Sequence, residues 1–166
     1  MVSLKTYLNF LKDFFNSHEQ INTLLVGDKK DITGHSDIVY PLANIEYLDK
    51  AIKGNDDVYR FEIIIASLST NDIELDVIND CNLIADDLVT YFSDIDKFED
   101  LEFFNSVTMK PFTDSFGDRV SGVTFVVSMT GFRKACITSI PLKGIIIAPE
   151  EDVESYVLDA VLNFTF

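Results

Sequence analysis

The chain has 166 residues, 47% of them hydrophobic and including 14 Phe and 6 Tyr, enough for one domain with a filled core and too apolar for a disordered chain. Its 28 acidic against 13 basic side chains leave a formal net charge of -15, which repels a phosphate backbone and argues against sequence-independent nucleic-acid binding. No window approaches the roughly 18 apolar residues of a membrane span, and "MVSLKTYLNFLKDFF" lacks the uninterrupted apolar stretch and cleavage site of a secretion signal.

The first segment spaces Leu4, Tyr7, Leu8, Leu11, Phe14 and Phe15 by three and four, with Ser3 available as a cap, and predicts an amphipathic helix. Short extended runs follow: "INTLLVGD" from Ile21, then "DIVYPLANIEYL" from Asp37, where Pro41 cannot donate to a ladder and so argues for an edge strand. "KGNDD" is turn chemistry, and "VYRFEIIIASLS" from Val58 alternates Tyr59, Phe61, Ile63 and Ile65 with Arg60, Glu62 and Ile64, which predicts a hairpin into a strong strand. A second helix, expected to be the longest, opens with Asn71 and Glu74 in a capping-box-like relation and carries Val77, Ile78, Cys81, Ile84, Leu88, Tyr91 and Phe92 on one face.

Beyond the acidic stretch "SDIDKFEDLE", the segment "FFNSVTMKPFT" reads as a strand, turning at "TDSFGD" into a much longer one. After Gly122 the residues Val123, Phe125, Val127 and Met129 alternate with Thr124, Val126, Ser128 and Thr130, so one face is apolar and the other mixed. The extended run from Arg119 to Arg133 far exceeds the usual five or six residues, so part of it is expected to reach past its own sheet, unless a bulge near Ser121-Gly122 or Gly131 splits it. Phe61, Ile63, Ile65, Ile84, Leu88, Phe125 and Val127 are the expected core. The fold class is α+β: a single mixed or antiparallel sheet with helices on one face, occupying residues 1–141. Residues 142–166 read as a C-terminal arm, with an apolar strand-like run at 145–147, Pro149, three carboxylates, and Val153, Tyr156, Val157, Ala160, Val161 and Phe164 at helical spacing.

Little in the chain suggests chemistry. His18 and His35 are the only histidines, no nucleophile elbow, phosphate-binding glycine loop or His-Glu-x-x-His motif occurs, and both read as loop or capping residues. Asp94, Asp96, Glu99, Asp100 and Glu102 resemble a hard-cation site in number but lack EF-hand spacing, and Asp28, Asp31 and Asp37 flank a loop whose Asp and Gly serve turns. Cys81 and Cys136 lie in apolar surroundings without zinc spacing and read as reduced, buried thiols. No catalytic residue, metal or cofactor is expected, and an interaction protein is favoured over an enzyme.

"HEQINTLLVGDKKDI" (18–32), "DIVYPLANIEY" (37–47), "YRFEIIIAS" (59–67) and "DSFGDRVSGVTFVVSMTGFRKACITSIP" (114–141) resemble, in the same order, segments of bacteriophage tail-terminator or tail-completion proteins, closest in flavour to the neck and tail ring proteins of crAss-like phages. The resemblance covers about residues 1–142; the arm departs from it. It implies a non-enzymatic virion protein at the head-tail junction or tail, assembled in the host cytoplasm. Such a protein forms a homo-oligomeric ring, a dodecamer in preference to a hexamer, against portal, neck or tail ring proteins. DNA would pass through an acidic lumen without specific binding, and no membrane would be involved. On this reading Val123, Phe125 and Met129 of the long hairpin, with Val153, Tyr156, Val157, Ala160, Val161 and Phe164 of the arm, form the intersubunit or partner surface. The alternative is a non-catalytic α+β adaptor, monomeric or dimeric, that binds a protein or small ligand with the arm folded back or docked.

Overall fold

Ser3 starts the first helix, α1 (Leu4–Ser17), as the sequence predicts: its hydroxyl accepts from the Thr6 N–H while the Thr6 hydroxyl accepts from the Ser3 N–H, a reciprocal cap that satisfies two otherwise unpaired donors. The computed structural model describes residues 3–34, 37–70, 72–94, 101–103, 107–115 and 119–133. The chain divides after Lys134 into two units, and the description is of the first. The C-terminal arm, 142–166, lies outside the described residues.

After α1 come strand β1 (Thr23–Val26), a 3-10 turn (Lys29–Gly34), strands β2 (Leu42–Lys53) and β3 (Asp56–Leu68), helix α2 (Glu74–Ser93), and strands β4 (Leu101–Phe103), β5 (Lys110–Ser115) and β6 (Val120–Phe132). They form one mixed sheet in the order β1-β2-β3-β6-β4, with β5 also alongside β6. Only β1 and β2 are parallel; the other pairings are antiparallel. The β2–β3 hairpin closes at Gly54-Asn55 between the paired Lys53 and Asp56, and Gly54 holds φ +61, a left-handed conformation natural to glycine.

Alternation decides the layers. Ile65 lies opposite Ala43 and Val123, Ile63 opposite Ile45 and Phe125, Phe61 opposite Val127, and Tyr59 opposite Met129, so one face of the three central strands is continuously apolar. Tyr7, Leu11 and Phe15 of α1 and Cys81, Ile84, Ala85, Leu88 and Phe92 of α2 cover that face. Phe14 lies against Phe92, with ring centroids 6.1 Å apart, and joins the two helices. All seven expected core residues are buried. A smaller cluster, Ile32, Leu42, Ile64, Ala66 and Val120, closes one end of the opposite face.

Four expectations need correction. β6 is long, but no part of it overreaches: each of its residues pairs with one of β3, which is equally 13 residues long, and no bulge splits that ladder. Its length follows from that of its partner. Val123, Phe125 and Met129, expected at an intersubunit surface, are 0%, 2% and 0% exposed beneath the helices, because the alternation that makes them apolar turns them toward this chain's own core. Pro41 does not place β2 at an edge; it lies one residue before the strand, which is flanked there by β1 and β3. Finally, "FFNSVTMKPFT" is not one strand, since β4 and β5 occupy opposite ends of the same edge of β6. At α2 the cap position falls on Ile73 and no side chain caps it; Asn71 lies outside the described residues. α2 is the longer of the two described helices.

A Cβ built on Gly122 would run into the Ile65 carbonyl oxygen and lie 2.8 Å from the Ala66 Cα, so the β3 backbone itself fills the space a side chain would need. Ile63→Ala and Phe125→Ala should each lower the unfolding free energy by about 2–5 kcal/mol in urea titrations. Gly122→Ala, which adds only a methyl group, should cost about 3 kcal/mol by the same measurement. A Gly122→Ala chain as stable as the parent would show that the two strands are not so closely apposed.

Candidate functional site

Among the described residues, the outer half of β2 pairs on one side only, with β3. β1 accompanies β2 only over Leu42 to Ile45, and among the described residues no strand pairs with the same edge over residues 46–53. On the far side of the sheet the edge of β6 is occupied at both ends by β4 and β5. A bare edge presents a row of unpaired N–H and C=O groups, which proteins ordinarily guard with projecting charges, bulges or a covering element.

A bulge is present. Tyr47 pairs with Phe61 and Asp49 with Arg60, which leaves Leu48 without a partner. Two of the half-strand's charged side chains are paired with β3. Asp49 accepts from Arg60 Nε at 2.8 Å and also from Arg60 Nη2, a two-pronged contact that holds the Asp49 carboxyl below the usual carboxylate range. Lys50 Nζ lies 2.9 Å from Asp57 Oδ2 and 5.1 Å from the centre of the Tyr59 ring; the hydrogen bond to Asp57 raises the Lys50 pKa. Three apolar side chains face solvent along this half-strand, Tyr47 at 41% exposed, Leu48 at 39% and Ile52 at 55%, together with the ammonium-bearing Lys50 and Lys53. Beside them Asp49, Lys50, Ala51, Lys53, Val58, Arg60 and Ser128 line an open groove of about 620 Å³.

Behind the edge is a buried polar cluster that the sequence does not reveal. Tyr7 from α1 stacks at a tilt on Tyr59, with centroids 4.8 Å apart, and burial, with Tyr59 and Asp57 adding to it, pushes its phenol up to about 12. Among the described residues neither the Tyr7 hydroxyl nor Asp57 Oδ1 has a hydrogen-bond partner. Asp57 is thus half-satisfied, held through Lys50 alone.

The other candidate residues occupy ordinary structural positions. His18 caps the end of α1: its Nδ1 accepts from the Gln20 N–H, and its Nε2 lies 3.3 Å from Asp87 Oδ2, linking the two helices. Asp28 Oδ1 accepts from the Lys30 N–H, and this bond holds its carboxyl below the usual range. The turn it opens is tied to the sheet by Lys29, whose N–H donates to Glu46 and whose Nζ donates to Glu62. Burial, with Asp80 adding to it, pushes the Cys81 thiol up to about 12, which keeps it protonated and unreactive. Asp94 is the residue after α2. His35, Asp96, Glu99, Asp100 and Cys136, the side chains of Asp31 and Glu102, and the arm residues Val153, Tyr156, Val157, Ala160, Val161 and Phe164 lie outside the described residues. Among the described residues no three His, Cys, Asp or Glu side chains converge, and no helix is long and apolar enough to cross a membrane.

Comparison with known protein families and with curated proteins finds no match to this chain.

Asp57→Asn should cost about 1–3 kcal/mol near neutral pH, because it leaves the Lys50 ammonium without its charged partner. Tyr7→Phe, which removes a hydroxyl that bonds to nothing, should be neutral or slightly stabilising. Because the Lys50 pKa is raised in the fold, its contribution is complete below its ordinary value of 10.5 and is lost as pH rises through the raised one. The difference between parent and Asp57→Asn chains in thermal melts should therefore be constant from neutral pH to about pH 10 and shrink above it.

Proposed function

We propose that this chain is a structural protein that assembles head to tail into a closed homo-oligomeric ring of a phage neck or tail. The observation that carries the reading is the outer half of β2, which no described strand covers on one side, where Asp49 and Lys50 are paired with β3 while Tyr47, Leu48 and Ile52 face solvent. An apolar half-strand with free backbone groups is an association surface. Contacts between different surfaces of identical subunits close into rings when the rotation closes. The likeness to tail-terminator and tail-completion segments supplies the setting: a virion component, built in the host cytoplasm and set against portal, neck or tail rings. The preferred ring is a dodecamer.

The charge distribution fits such a ring. α2 carries Glu74, Asp76, Asp80, Asp86 and Asp87 without a single Lys or Arg, and Asp76, Asp80, Asp86 and Asp87 are exposed. Turned to a lumen, that surface would let duplex DNA pass without adhering, since carboxylates repel phosphates. The competing reading, an adaptor that acts as monomer or dimer, draws on the open groove beside Arg60 and Lys53.

Native mass spectrometry and particle imaging of the purified chain separate the two: the ring reading expects a closed oligomer of fixed subunit number, and a chain that stays monomeric or dimeric at every concentration overturns it. In gel-shift titrations at physiological salt the protein should retain no duplex DNA. Stoichiometric retention would remove the acidic lumen from the proposal.

A further inference from the structure

We infer that the bare half of β2, residues 46–53, receives the apolar run 145–147 of a second copy of this chain as an added strand. The inference rests on the homo-oligomeric assembly proposed above and assigns its contact.

The receiving edge meets the physical requirements of strand addition. It offers about eight residues of extended backbone unpaired on one side, and main-chain hydrogen bonds to such an edge supply affinity while alternate side chains supply register. Two of the edge's charged groups are already paired within the sheet, Asp49 with Arg60 and Lys50 with Asp57.

The occupant follows from the rest of the chain. Beyond Arg133 a further 33 residues remain, from Lys134 to Phe166. Arg133 lies beside the hairpin turn, where its N–H donates to the Asn55 carbonyl at 2.7 Å. Eleven residues lie between Arg133 and Ile145, a reach of up to about 40 Å at roughly 3.3 Å per step, enough to cross to a neighbouring subunit. The run Ile145, Ile146, Ile147 consists of β-branched residues suited to a pleated surface, and Pro149, which cannot donate to a ladder, limits how far pairing extends. Laid parallel to β2 beyond Glu46, where Gly27 ends the company of β1, it continues the line of β1, itself parallel to β2.

Two variants of the full chain and one peptide test this. Tyr47→Lys with Ile52→Lys alters only exposed side chains of the receiving edge; Ile145→Asp with Ile147→Asp removes the apolar run. In sedimentation velocity the parent should be a closed oligomer and each variant alone a monomer. An equimolar mixture of the two variants should give a one-to-one dimer and nothing larger, because a single intact edge meets a single intact run. A synthetic peptide of residues 142–152 (LKGIIIAPEED), added in excess to the parent, should break the oligomer and be found bound one per subunit by native mass spectrometry. If both variants assemble as the parent does, this contact is wrong while the ring reading stands. A mixture that remains monomeric overturns it in favour of pairing within one chain. A monomeric parent overturns the ring reading and this inference together. Should a variant fail to fold, the peptide decides: an oligomer unchanged by excess peptide overturns the inference.

Discussion

The thirteen-for-thirteen pairing of β3 with β6 is the constraint on which the remainder of the fold depends. It joins residues 56–68 to 120–132 without a slip, and every apolar residue of the main sheet face takes its place from that register. A shift by one residue would turn Phe61, Ile63, Ile65, Val123, Phe125 and Val127 to the opposite face and leave both helices with nothing to cover. The close approach at Gly122 and the buried Ser69–Ser121 hydroxyl pair, 2.7 Å apart, fix the ladder at one end. The Arg133–Asn55 backbone bond fixes it at the other.

Because β3 and β6 have each other, the strands outside them are accommodated less completely. β2 follows β3 out to the hairpin turn, so it extends well past the four residues of β1. The surplus length of this protein therefore appears as an uncovered stretch of β2, not as a protruding β6. Around that stretch the chain neutralises its charges in pairs, Asp49 with Arg60 and Lys50 with Asp57, and keeps the second carboxylate oxygen of Asp57 and the Tyr7 hydroxyl buried without partners. That arrangement rigidifies the polar groups behind the edge while leaving an apolar fringe in front of it.

Local features were legible and pairings were not. The three-and-four spacing in α1, the Ser3 cap, the turn at Gly54 and the alternation of Phe61, Ile63 and Ile65 all record interactions within a few residues, and each emerges as read. The start of α2 was less legible, because a capping pattern states only what a side chain could do, and the helix begins at Glu74 with Ile73 in the cap position. The length of β6 was visible, but its cause lay some sixty residues away in β3, and no local pattern distinguishes a strand that overreaches from one matched by a distant partner. The candidate site was hidden for the same reason. Tyr47 and Ile52 read as ordinary strand residues, and the edge they occupy exists only because β1 stops at Val26. Pro41 signalled an edge on the correct strand at the wrong end, since the residue lies just outside the ladder.

The distance in sequence between β3 and β6 also shapes how the protein is made. Asp56 finds its partner in Phe132, so the β2–β3 hairpin, α1 and α2 are all synthesised before the strand that completes the sheet emerges. Until then the hairpin carries two open edges and an uncovered row of Phe61, Ile63 and Ile65, a species prone to pairing with its own kind. Contacts of such separation slow folding, because loop closure precedes the gain from pairing. Many nascent copies produced close together would meet in this state. The exposed carboxylates of α2 would set such chains in mutual repulsion.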